Sequence, residues 1–277
     1  MNRTFMKTRQ EKLEAFGRIL DILDELRVKC PWDREQTTQS LRPQTIEEVY
    51  ELSDAILKDD MKNISKELGD VLLHVLFYAK IGEEQNEYDI VDVINFLSDK
   101  LIYRHPHVFS SVEVADSAEV VKNWEMLKTK EKDGNRRILS GVPDTLPPLL
   151  KAYRMQDKAR GVGFDWEEKS QVWDKVKEEM NEYQAELDAI EAAESEEDRA
   201  VAFARAEVEL GDYLFAVVNA ARLYGLNPDT ALERTCAKFK RRFTYLEEHT
   251  IRQGRNLKDM TLAEMDEIWD EAKAKGL

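Results

Sequence analysis

Glu47-Glu-Val-Tyr-Glu51, followed by Glu67-Leu-Gly-Asp70, is written a second time as Glu178-Glu-Met-Asn-Glu182 followed by Glu209-Leu-Gly-Asp212. Residues three and four apart share a helix face, so Glu48 and Glu51 project together from one helix and Glu67 and Asp70 from another. Two such helices side by side bring four carboxylates into one pocket, and Glu179, Glu182, Glu209 and Asp212 repeat the arrangement. Four negative groups at close range repel one another and resist ionising unless a cation lies among them. Hard oxygen donors without His or Cys point to Mg²⁺, with Mn²⁺ as an alternative, rather than to zinc.

Acid pairs alone mean little in this chain. With 56 Asp and Glu among 277 residues, a chance pair at one fixed spacing recurs about eleven times, usually as a solvated helix face. The weight lies in the ordered combination, in its repetition and in the apolar run after each copy. Val71-Leu-Leu-His-Val-Leu-Phe-Tyr-Ala79 and Tyr213-Leu-Phe-Ala-Val-Val-Asn-Ala-Ala221 are apolar nearly all round, which predicts buried helices opened by the carboxylate pairs. A buried carboxylate must be paired or hold a metal, because leaving it bare costs several kcal/mol.

A chain of this length, 42% hydrophobic, can bury a substantial core, and the repeat favours two domains. The formal net charge of -15 argues against nucleic acid or an anionic membrane as partner. A phosphate substrate would then need metals or local cations. Cys30 and Cys236 form no CxxC or zinc pattern and read as reduced, structural residues in a cytoplasmic protein. Met1 to Arg27 lacks the apolar core of a signal peptide, and no apolar run approaches the ~18 residues of a membrane span.

Sparse Gly and Pro and long i, i+3, i+4 apolar spacing predict an all-α fold. Helices are expected over about 7–27, with Leu13, Phe16, Ile19, Leu20, Leu23 and Leu26 on one stripe, then 45–58, 64–86 and 90–104. The second of these is expected to start at a Thr45/Glu48 capping box. His105-Pro-His107 ends the pattern, and 110–137 is polar, with a turn at Asp133-Gly-Asn135 and helix around Trp124. The rigid stretch Gly141–Pro148 marks the domain boundary. Helices are expected again at 149–160, from about Lys169 through the second acidic group, through the second ELGD to about Tyr224, from Asn227-Pro228, and at 262–275. Ala192–Asp198 reads as a solvated acidic loop.

The repeat extends to cations. Lys100 and Arg104 stand four apart beyond the first acids, and Lys238 and Arg242 four apart beyond the second. Metals beside Lys and Arg suit a polyphosphate, whose charge they share as a bond breaks. No GxxxxGK[ST] loop is present, so the nucleophile is most simply water, with Glu178 or Glu47 as base. His74, His105, His107 and His249 stand beside no nucleophile motif, and Trp32 and Trp166 read as core or corner residues before base platforms.

The doubled EExxE and ExxD, with CPWD near the start, KLIYRHPHVF closing the first half, GVGFDW opening the second and TCAKFKRRF near the end, resemble the MazG family of the all-α NTP pyrophosphatase superfamily. The resemblance covers nearly the whole chain. It implies a tandem repeat of two MazG-like helical bundles, 1–115 and 144–277, joined by a charged linker at 116–143 and dimerising into larger bundles. It implies Mg²⁺-dependent hydrolysis between the α and β phosphates of nucleoside triphosphates, giving monophosphate and pyrophosphate, with broad base tolerance and a house-cleaning role. By the same resemblance the second half carries most of the activity. Glu178, Glu179, Glu182, Glu209 and Asp212 are its catalytic acids, and Lys175, Lys238, Arg242, Trp269 and Lys273 its substrate contacts. Glu48, Glu51, Glu67 and Asp70 are the equivalent first-half ligands; the first half lacks a Trp269 and Lys273 segment and has Gln44 where the second has Lys175. Two alternatives stand beside this: a narrower dUTP or dCTP hydrolase of the superfamily, and a non-catalytic nucleotide-sensing helical protein.

Overall fold

The computed structural model describes residues 7–116, 119–120, 123–124, 126–127 and 137–277, and among them regular structure is helical throughout. Two compact units are distinguished, 1–112 and 113–277.

In the first unit α1 (Arg9–Lys29) opens on a capping box between Thr8 and Glu11, and α2 (Pro31–Glu35) is a short turn after Cys30. Next, α3 (Thr38–Leu57) pairs with α4 (Met61–Glu84), and α5 (Ile90–Arg104) and α6 (Pro106–Phe109) complete the unit. Leu23, Leu41, Leu76, Phe77 and Ile81 form its core, with Phe16, Ile19 and Leu20 packed against it, whereas Leu13 of the expected stripe is exposed. The start of α3 differs from expectation. Thr37 is the cap, reciprocated by Ser40, and the helix runs through Pro43, so Thr45 lies inside it. There its hydroxyl back-bonds to the Leu41 carbonyl at 2.9 Å. Pro43, the sixth residue of the helix, removes the N–H that would have bonded the Gln39 carbonyl, and the helix continues past it. At the other end of α4, Asn86 adopts φ 57° and stops the helix expected to include it.

In the second unit the turn Ile138–Gly141 precedes α7 (Pro148–Gly161), α8 (Gln171–Ala192), α9 (Glu196–Leu223), α10 (Pro228–Arg252) and α11 (Leu262–Ala274). The two long helices α8 and α9 pair, α7 lies on α9, and α11 lies on α10. Val172, Val176, Ala216 and Ala220 are the core between α8 and α9. The acidic stretch Ala192–Asp198 is a loop only at 193–195: Ser195 caps α9 by accepting from the Asp198 N–H at 3.0 Å, and Glu196, Glu197 and Asp198 form its favourable negative first turn. Consequently neither ELGD opens a helix. One lies in the second turn of α4, the other in the middle of α9, because good helix formers precede both.

The helices carrying ELGD are also not buried all round: Leu68, Leu72 and Val75, and likewise Leu210, Leu214 and Phe215, remain exposed on one face. Cys236 is exposed on α10 rather than packed in a core, and Trp32 is exposed on α2. His105 takes the expected turn role, its ring nitrogen 2.6 Å from the Leu101 carbonyl where α5 ends. Glu119, Val120, Asn123, Trp124, Met126 and Leu127 are helical, while the turn at Asp133–Asn135 lies outside the described residues.

Candidate active site

Pairing α3 with α4 brings carboxylate oxygens of Glu48, Glu67 and Asp70 within 4.8 Å of one another. Glu51 is not in that set, although its charge reaches Glu48 and Lys66. Glu67 is the buried member at 5% exposure, and its Oε2 is sealed from water with no hydrogen-bond partner. An orphaned, buried carboxylate oxygen facing two further carboxylates fits a hard divalent cation. Burial first, then the charges of Asp70, Glu51, Glu67 and Glu47, push the Glu48 carboxyl above its ordinary value. Lys66 leans onto this cluster, 3.1 Å from Glu67 and 3.9 Å from Asp70. Beneath it, Thr45 Oγ1 meets His74 Nδ1 at 3.0 Å and the Tyr78 hydroxyl at 2.6 Å, and burial lowers the His74 pKa.

Pairing α8 with α9 does the same with a different subset: Glu179 and Glu182 from α8 and Glu209 from α9 lie within 4.8 Å. Glu179 is 7% exposed. Lys175 binds it at 2.6 Å and Glu178 at 2.9 Å, and these bonds raise the lysine pKa. Glu182 is pushed above the usual carboxylate range by desolvation, then by Glu179, Glu209 and Glu178, with Lys175 opposing. Asp212 stands outside the triplet but lines, with Glu179 and Lys175, a cavity of ≈ 670 Å³.

That cavity contains residues that sequence reasoning missed, and also Trp166, expected as a core or corner residue but 39% exposed. Its far wall comes from Phe164, Asp165 and Trp166, in the loop after α7, and from Ala216, Asn219 and Arg222, further along α9 from Asp212. The loop is set by a left-handed Gly163 (φ 89°), with the Gly163 N–H donating to Arg160 and the Phe164 N–H to Ala159, a capping pattern that turns Phe164 outward. Arg222 anchors it, donating to both Asp165 oxygens at 3.1 and 2.5 Å and to Asn219 Oδ1 at 3.1 and 2.8 Å. The stripe at 212, 215/216, 219 and 222 on one helix face is a signal that could have found them, and GVGFDW marks the loop.

Lys238, Arg242, Trp269 and Lys273 are not among the residues lining this cavity. Arg242 and Trp269 meet where α10 packs on α11: Arg242 lies 5.9 Å over the Trp269 ring and Phe239 packs on Trp269 at 5.1 Å, while Lys273 pairs with Asp270 at 2.8 Å and Lys238 is exposed on α10. Arg242 also donates to the Leu277 carbonyl oxygen at 2.6 Å.

Residues 36–109 match the model of the MazG nucleotide pyrophosphohydrolase domain. The chain is 38% identical over 268 residues to a nucleoside triphosphate pyrophosphohydrolase of Escherichia coli (strain K12), covering 94% of this chain and 98% of that one. It is 38% identical over 261 residues to the nucleoside triphosphate pyrophosphohydrolase/pyrophosphatase MazG of Thermotoga maritima, covering 93% and 95%. It is also 46% identical over 270 residues to the uncharacterized protein YabN of Bacillus subtilis, covering 96% of this chain and 53% of that longer one. Two helix pairs that each gather three carboxylates, and near full-length identity to these relatives, make this chain a member of the MazG nucleotide pyrophosphohydrolase family, and so an enzyme of the hydrolase class.

Proposed function

We propose that this protein hydrolyses nucleoside and deoxynucleoside triphosphates between the α and β phosphates, releasing monophosphate and pyrophosphate, with Mg²⁺ required and several bases accepted. The observation that carries this is one cavity lined at one end by Glu179, Asp212 and Lys175 and at the other by Phe164 and Trp166. With a divalent cation held among the acids, such a cavity would suit a ligand that is anionic at one end and aromatic at the other.

Glu179, Glu182, Glu209 and Asp212 would hold the metal, as Glu48, Glu51, Glu67 and Asp70 would in the first half. The bound cation would neutralise charge developing on the phosphate oxygens. Glu178, exposed beside the cluster and held by Lys175 at 2.9 Å, is placed to take a proton from the attacking water. Lys175, the cation nearest these acids, would be the group to meet a phosphate oxygen. Lys238, Arg242, Trp269 and Lys273, proposed as triphosphate contacts, do not line this cavity and would have to act from outside it. Each half has a lysine on its acids, Lys66 in the first and Lys175 in the second, so it is the cavity at Glu179 and Asp212 that favours the second half as the working site. The exposed apolar faces of α4 and α9 fit a homodimer. A division into domains 1–115 and 144–277, a linker at 116–143 and a cytoplasmic house-cleaning role complete the proposal.

Among the described residues, no helix is long and apolar enough to cross a membrane. The test is pyrophosphate release from a panel of triphosphates with and without Mg²⁺, comparing wild type, Glu51→Gln and Glu182→Gln. Metal-dependent release that drops by about two orders of magnitude in Glu182→Gln is expected. Loss in Glu51→Gln instead would move the reaction to the first half, and no release from any triphosphate would refute the reading.

A further inference from the structure

The cavity in the second unit has few polar groups at its aromatic end, and their protein partners account for most of them. Asp165 spends both oxygens on Arg222, and Arg222 spends its guanidinium on Asp165 and Asn219. Gln156 donates from Nε2 to the Phe215 carbonyl at 2.8 Å, while its Oε1, an acceptor, is closed to solvent and has no hydrogen-bond partner. Asn219 and the Trp166 indole N–H, together with Gln156 Oε1, are the exceptions, and Asn219 is the one that offers an amide donor from α9. A guanidinium only donates, so the Asn219 atom facing Arg222 must be the carbonyl oxygen, which fixes the orientation of the amide. Its Nδ2 keeps two N–H donors with no partner among the described residues, and the half-buried side chain lines the cavity.

Asn219 lies two turns along α9 from Asp212, about 10 Å at the usual helical rise. The acidic end and this donor are therefore separated by room for a sugar and a base, with Phe164 and Trp166 as the apolar wall. At 82% exposure Phe164 has a ring face free for stacking.

We propose that Asn219 is a specificity-determining residue: its amide N–H donors select bases that present an exocyclic carbonyl over those that present an amino group at the same place. This deepens the pyrophosphohydrolase assignment and rests on it. A donor facing a carbonyl makes a hydrogen bond; facing an amino group it meets another donor and both go unpaired. Tolerance of several bases persists, graded by this one contact.

The matched pair ITP and ATP tests it, since the two differ only at the C6 substituent and at the N1 proton. In wild type, kcat/KM for ITP should exceed that for ATP by about tenfold, the size of one net hydrogen bond in a partly exposed site. Asn219→Ala should bring the ratio to about one. Asn219→Asp, equal in shape and still able to accept from Arg222, should reverse it toward ATP. A role confined to packing would lower both substrates together and leave the ratio alone. A wild-type ratio at or below one, or a ratio unmoved in both variants, overturns the assignment while leaving the pyrophosphohydrolase reading intact. If wild type hydrolyses no triphosphate, that reading fails by itself, and the IMP and AMP affinities of wild type and Asn219→Asp, measured by calorimetry, decide the base preference on the same ratio.

Discussion

Replacing Arg222 with Leu removes the tie that holds the cavity's aromatic wall to α9. The Arg222 side chain is 4% exposed and that of Asp165 19%. Four hydrogen bonds disappear, two to the carboxylate and two to Asn219 Oδ1. Charge-assisted bonds contribute about 1.5–3 kcal/mol each on a net basis, but Arg222 also sheds its own desolvation cost when it is deleted. The variant is left with an unpaired carboxylate in a mostly buried place, which puts the loss near 3 kcal/mol, the low end for breaking a buried pair because Asp165 keeps some water. For a unit of this size, that corresponds to a melting shift of about 6–12 °C. Each unit has its own core, so the transition to follow is that of the second, by urea denaturation with a probe such as Trp166 fluorescence. Asp165→Asn should cost a similar amount by stranding the guanidinium. The double variant should be less damaged than the sum of the two, with a coupling of about 2 kcal/mol. Additivity within about 0.5 kcal/mol, or a cost below about 1 kcal/mol for Arg222→Leu alone, would refute the claim that this pair sets the wall.

Two further outcomes are expected. Adding Mg²⁺ should raise the first unit's melting temperature, by the equivalent of about 2.7 kcal/mol at a hundred times the dissociation constant. Glu67→Gln should abolish that rise; a Mg²⁺-induced shift that survives the substitution would remove Glu67 from the ligand set. At α11, the Thr261 N–H and hydroxyl and Arg255 hold the Glu264 carboxyl down at about 2. A depressed carboxylate contributes its stability above the unfolded value of about 4.3 and loses it as pH falls toward 2. The stability gap between wild type and Glu264→Gln should therefore be full at pH 6 and reduced at pH 3, and a gap equal at both pH values would contradict this capping role.

Legibility in the sequence depends on range. Helix existence is legible because caps and 3.6-residue periodicity are local: Asp89 and Asp92 bound α5 where expected, and Asn227-Pro228 opens α10. A single local signal misleads where a neighbouring one outweighs it. Thr45 and Glu48 have the spacing of a capping box, yet Thr37 and Ser40 have already started the helix; the acids of 192–198 suggest a loop, yet Ser195 turns them into a helix start. At the site, spacing alone puts Glu48, Glu67, Asp70, Glu179, Glu182 and Glu209 on faces able to converge.

The set of helices, the doubling of the acidic pairs and the chemistry those donors favour are thus consequences of residue type and spacing within one element, and the chain carries them before it folds. Which three carboxylates of each four meet is settled by packing, because it depends on the rotation and offset of one helix against another. Packing also joins Asp165, Arg222 and Asn219, spread over more than fifty residues, into one wall, and sets Arg242 against Trp269 of α11 instead. Such contacts are made by side chains far apart in sequence, and no local period encodes which of them will meet.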